Sequence, residues 1–103
     1  MAEWVRICGT AEAPAEGQLM AGDAGGVEIC LARVQGVLAA VDNVCPHRQG
    51  PLSEGWIEGH AVVCPWHSWA FDLGTGIAEP PERSQVAVFP VRVEGEDVLV
   101  KIG

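Results

Sequence analysis

Positive charge is scarce in this chain. Six lysines and arginines stand against 14 aspartates and glutamates in 103 residues, for a formal net charge of −8. Nucleic acid and anionic membrane surfaces both demand basic patches, so neither is an expected partner. A protein with a basic docking face would be attracted and steered instead. Long hydrophobic runs are also missing. The longest are short, as in "VLAAV", and fall well below the roughly 18 apolar residues of a membrane-spanning helix. The N-terminal "MAEWVRICG" lacks the basic region, apolar stretch and cleavage site of a secretory signal. A cytoplasmic location, with the four cysteines kept as thiols, is the expectation. Helical periodicity is absent too, apart from a weak helix candidate in "AEAPAEG".

What is present points to strands and turns. Thirteen glycines and seven prolines punctuate a chain that is 49% apolar, a pattern expected of an all-β domain spanning residues 1–103. "EWVRICG" reads as a first strand and "TAEAPAEGQLMAGDAGG" as an acidic loop. "VEICLARV" and "VLAAVDN" read as a hairpin turned by Gln35 and Gly36. "HAVVCP" and "WAFDLGTG" are short strands, "EPPERS" a rigid loop, and "QVAVFPVRVEG" with "DVLVKIG" a closing hairpin. A domain of this size buries a modest core, so a metal staple would help it noticeably.

Such a staple is written in the motifs "CPHRQGPLSEG" and "CPWHSWAFD". They place Cys45 two positions before His47 and Cys64 three positions before His67. These loops lie between strands in a specialised insert of about residues 43–73, where a rigid sheet holds the loop bases and leaves the tips accessible. A closed tetrahedral zinc site usually pairs Cys with Cys and His with His. Here each loop supplies one of each. A mixed-ligand [2Fe–2S] cluster needs two thiolates on one iron and two imidazoles on the other, and two facing loops of this composition meet that need. Cys8 and Cys30 sit in apolar strand segments without a nearby histidine and read as core packing. His60, beside a glycine turn, is expected to face solvent.

The two loops, the turns after them and the closing "FPVRVEGEDVLVKI" resemble the small soluble Rieske-type ferredoxins over nearly the whole chain. The resemblance implies three antiparallel sheets with an inserted cluster-binding subdomain. It implies that Cys45 and Cys64 hold one iron and His47 and His67 the other, under a proline loop at Pro80–Pro81. Respiratory and photosynthetic relatives carry an additional disulfide at the positions of Gly50 and Trp66. They also carry serine and tyrosine hydroxyls at those of Trp69 and Phe71; this chain has no tyrosine at all. Fewer donors to the cluster sulfurs leave less stabilisation of the added electron. The backbone amides of the loops, with Ser68 as an extra donor, would supply the rest. Trp56 and Trp69 are expected to form a hydrophobic shell, and Trp66 to sit at a loop tip.

Catalysis by this chain alone is not expected. The oxygenases of this superfamily hold a second iron on two histidines and a carboxylate, and only His60 remains once the cluster is ligated. The resemblance implies one-electron transfer from a reductase, such as a flavoprotein, to a terminal oxygenase, through His47 and His67 with Arg48, Gln49 and Trp66 around the docking surface. Two alternatives are a Rieske-type small subunit of an NADH-dependent nitrite reductase and a zinc-stabilised interaction domain.

Overall fold

A computed structural model describes residues 3–45, 50–66, 69–78 and 84–102. The first strands in chain order are β1 (Glu3–Gly9), β2 (Leu19–Ala24), β3 (Val27–Val34) and β4 (Val37–Asp42). After a single turn of 3-10 helix at Leu52–Glu54 come β5 (Trp56–Glu58), β6 (Ala61–Val63) and β7 (Ala70–Asp72). The chain closes with β8 (Val88–Phe89), β9 (Val91–Glu94) and β10 (Asp97–Ile102). Among the described residues these strands form three antiparallel sheets, ordered β1-β10-β9, β2-β3-β4-β8 and β5-β6-β7. The all-β, three-sheet architecture implied by the resemblance is therefore the one observed.

The central layer is organised by β3. Successive strand side chains point to opposite faces, and here both faces are covered. Ile29 and Leu31 pack with Cys8, Val98 and Val100 against the first sheet, while Cys30, Ala32 and Val34 face a second core. That second core joins Leu52, Val62, Phe71 and Leu73 with Cys45 and Cys64. All four residues from Ile29 to Ala32 are completely buried. This explains why the centre of "VEICLARV", Ile29 to Ala32, is continuously apolar instead of alternating. Each large aliphatic side chain so buried contributes about 1.5–3 kcal/mol relative to exposure. The second core forms the floor beneath both Cys/His loops.

The turn at Gln35–Gly36 is as expected, with φ of 53° and 78° at the two positions and Val34 paired to Val37, the signature of a tight hairpin turn. Glu16 reinforces it by accepting the N–H groups of Gly36 and Gln35 at 2.7 and 2.6 Å. Those two backbone donors hold the Glu16 carboxyl below the usual carboxylate range.

Three local readings differ from the structure. The stretch read as an acidic loop contains β2, an edge strand fully registered on β3 from Leu19–Ala32 to Ala24–Val27. Its "LMAGDA" has weak strand preference because Gly22 is there for contact: a β-carbon would run into the Ile7 side chain of the first sheet. The closing segment is not one hairpin. Val88 and Phe89 pair with β4, whereas Val91–Glu94 pair with β10, so the chain changes sheets at Pro90, whose missing N–H cannot continue a ladder. "AEAPAEG" forms turns, not a helix.

Candidate metal centre

The first loop grows from the end of β4. Asn43 is 4% exposed, and its carboxamide oxygen accepts the Ser53 N–H at 2.7 Å. Its backbone N–H donates to the Glu28 carbonyl and its carbonyl accepts the Leu52 N–H, at 3.0 and 2.8 Å. Asn43 thus clamps the departing strand, the 3-10 turn and β3 together. Val44 bridges Pro51, and the Cys45 N–H donates to the Gly50 carbonyl at 2.9 Å, closing the loop at its base. Leu52, with no exposed surface, fills the space beneath. Replacing Asn43 by Ala leaves the Ser53 amide without its acceptor, and the expected loss is about 1–3 kcal/mol. Denaturant titration of the variant against the parent measures it.

The second loop is built the same way. It leaves β6 at Val63 and returns to β7 at Ala70, which are paired across the ladder. The Cys64 N–H donates to the Trp69 carbonyl at 2.8 Å. In both loops, then, the cysteine amide is bonded to the carbonyl five residues ahead, although the Cys-to-His spacings differ. Cys45 and Cys64 are each 1% exposed and belong to one buried cluster. No disulfide joins any of the four cysteines.

Among the described residues, the two loops approach each other at Gly50 and at Gly55. A β-carbon built on Gly50 would lie 3.0 Å from Trp66 Cδ2, 3.1 Å from its Cγ and 3.3 Å from Cys64 Sγ. A β-carbon on Gly55 would overlap the Val63 carbonyl oxygen and lie 3.2 Å from Pro65 Cδ. Absent side chains at 50 and 55 therefore let the first loop press against the second. Gly50 links the two loops directly, because its carbonyl holds the Cys45 amide while its α-carbon faces the Cys64 sulfur. Two buried thiol groups on facing loops are soft donors of the kind that iron–sulfur clusters use. The described part of the site fits such a group.

His47 and His67 lie outside the described residues, as do Arg48, Gln49, Ser68 and Pro80–Pro81. Cys8 and Cys30 fall in the two separate cores, as packing residues. Burial pushes the Cys30 thiol up to about 12 and raises that of Cys8 as well, so both stay protonated. His60 is exposed. Beyond it, the Asp72 carboxylate accepts the N–H groups of Thr75 and Gly74 at 2.9 and 2.7 Å, which lowers its pKa. Trp66 is 57% exposed, in keeping with a loop tip, and Trp69 packs against the core that holds the cysteines. Trp56 departs from its expected place in the shell. It is 42% exposed on edge strand β5, and its indole N–H donates to Glu58. Asn43 and Gly55 were not singled out from the sequence. Asn43 carries a weak signal, since it directly precedes the first loop in "DNVC". Gly55 carries none, since its role exists only across the fold.

Residues 3–90 match the family described as the Rieske [2Fe-2S] domain. The chain is 33% identical to the ferredoxin component of the naphthalene 1,2-dioxygenase system of Pseudomonas aeruginosa, over 97% of this chain and 96% of that protein. The structure of the Sphingomonas yanoikuyae B1 ferredoxin superposes with a TM-score of 0.87 at 26% identity, covering 98% of this chain and 100% of that one. A Mycobacterium tuberculosis structure described as an NADH-dependent nitrite reductase small subunit superposes at 0.89, covering 100% of this chain and 97% of the other. At 24% identity, that second likeness speaks to the fold alone.

Proposed function

The chain belongs to the Rieske [2Fe–2S] family, and on that premise we propose that it is the ferredoxin component of an oxygenase system. In that role it carries single electrons from a reductase to a terminal oxygenase. The observation that carries this reading is the pair of buried cysteines on two loops of identical closure, pressed together through Gly50. Cys45 and Cys64 are the thiolate ligands of one iron, and His47 and His67 the imidazole ligands of the other. A bound Rieske cluster would supply a one-electron couple. The protein's own residues hold and insulate it: the core of Leu52, Val62 and Phe71 closes the inner side to water. The acidic surface steers a basic partner. The reductase is of the flavoprotein class, and the protein works in the cytoplasm, where its four thiols stay reduced. Residues 43–73 act as the cluster-binding insert of a single domain.

Sequence identity is 33% to the oxygenase-system ferredoxin component and 24% to the nitrite reductase small subunit, which favours a diffusing carrier over a fixed subunit of a nitrite reductase. A carrier docks through a small, electrostatic surface, so its turnover with partner enzymes falls as salt rises. Co-purification at fixed stoichiometry would instead mark a subunit.

The redox potential is expected near the low end of the family's range. Phe71 is fully buried and carries no hydroxyl, so it cannot donate to a cluster sulfur when negative charge is added there. The midpoint should lie at roughly −150 mV, on a scale reaching about +300 mV. A dithionite titration followed in the visible region tests both the proposal and this value. The red-brown absorbance should bleach reversibly at low potential. A colourless zinc protein, or a clearly positive midpoint, would contradict one or the other.

A further inference from the structure

Trp66 sits where neither packing nor chance exposure explains it. Large side chains that serve the core here are fully buried, as Phe71, Leu52 and Leu73 are. Trp66 instead leaves 57% of its surface to solvent while one edge of its ring rests against Gly50. Gly50 itself is buried. The ring edge and the Cys64 sulfur flank the same notch, each within 3.3 Å of the point a Gly50 β-carbon would occupy. That sulfur is only 1% exposed, and among the described residues Gly50 and the base of the Trp66 indole crowd the same point beside it.

Resting on the cluster assignment above, we propose that Trp66 is a positioning residue for the redox centre: seated on Gly50, it keeps water from the Cys64 sulfur and so holds the reduction potential down. The physical reason is the charge that reduction adds. A sulfur in an apolar, water-free setting bears added negative charge less readily than one that accepts a hydrogen bond from water. Lifting the indole admits that water and favours the reduced state. It also opens the sulfur to solvent-borne chelator and oxidant, so the cluster is lost faster. The same ring ties the second loop to the first, because its seat is the residue whose carbonyl holds the Cys45 amide.

Three variants of the full chain test this. Trp66→Ala removes the cover, Trp66→Phe keeps an aromatic ring on the seat, and Gly50→Ala places a methyl group where the ring edge rests. Trp66→Ala should favour reduction by about tenfold, a rise of about 59 mV in midpoint for a one-electron couple. Its visible absorbance should decay about tenfold faster in chelator and air. Trp66→Phe should restore most of both properties. Gly50→Ala should move both in the direction of Trp66→Ala with the indole still in the chain, and it reads the seat even if Trp66→Ala yields no loaded protein. Unchanged midpoints across the loaded variants would overturn the proposal, as would a fall in melting temperature with no change of potential, which marks a purely structural ring. A parent protein with no dithionite-bleachable band would overturn the cluster assignment itself, a separate and recognisable failure.

Discussion

Cys64→Ala should yield a colourless protein that melts far below the parent. Cys64 lies 19 positions after Cys45, and on the proposed assignment the two sulfurs are tied through one iron. A cross-link closing about 20 residues contributes about 3 kcal/mol by limiting the unfolded chain. For a domain of this size that corresponds to a fall of roughly 12–25 °C in melting midpoint. The true loss should reach at least that range, because metal binding also organises loops that cost entropy to order. Cys30→Ala supplies the contrast. Its sulfur is equally buried but belongs to β3, so that variant should lose some packing and keep its colour. Calorimetry and visible spectroscopy on the two variants read both effects. A Cys64→Ala protein that melted with the parent would show that the metal does not staple the loops.

Gly55→Val is the second large effect, and it needs no ligand to be removed. A β-carbon at position 55 meets backbone, the Val63 carbonyl, on one side and the Pro65 ring on the other. Neither can rotate away. The strand entering the second loop must then shift, and Cys64 shifts with it. Overpacking of this kind costs about 3 kcal/mol or more. Gly17→Ala is the control: its φ is +76°, but nothing lies within 4 Å of the added carbon, so it should cost only about 1 kcal/mol for the left-handed backbone. Gly55→Val should therefore load little or no iron under conditions where Gly17→Ala loads fully. Equal iron content in the two would mean that the close approach of the loops is not needed to build the site.

Metal chemistry made part of this site legible in the sequence. Cys45, His47, Cys64 and His67 stand out because the cluster ligation proposed for them demands particular residue types at short spacings within turns. The hairpin at Gln35–Gly36 was legible for a similar reason, since a tight turn constrains its two residues directly. Other features depended on contacts that no local pattern records. Strand β2 is held by its partner β3 and by the Ile7 side chain on Gly22, and its own residues hardly favour extension. Pro90 signals a break, but the sheet to which each side belongs is decided by β4 and β10. Gly50 and Gly55 look like ordinary turn glycines in "RQGPLSEG". Their task, bringing two loops into contact, appears only in three dimensions.

Acid conditions bear on the turn that follows β7. The Asp72 carboxyl is held below its ordinary range by the Thr75 and Gly74 amides. Its stabilising contribution is therefore present above the unfolded carboxylate range and is lost as the pH falls through the depressed folded value. Asp72→Asn should flatten the acid limb of a stability-against-pH curve and leave the neutral limb parallel to the parent.

The central claim is a cluster held by sulfur on one iron and nitrogen on the other. Pulsed electron paramagnetic resonance of the dithionite-reduced protein, grown with nitrogen-15 histidine, tests it most directly. Nitrogen-15 coupling from two strongly coupled imidazoles is the predicted result, and it should be lost or halved in His67→Cys as the midpoint falls. A reduced spectrum without directly coupled histidine nitrogen, or a protein holding a single zinc and no acid-labile sulfide, would contradict it.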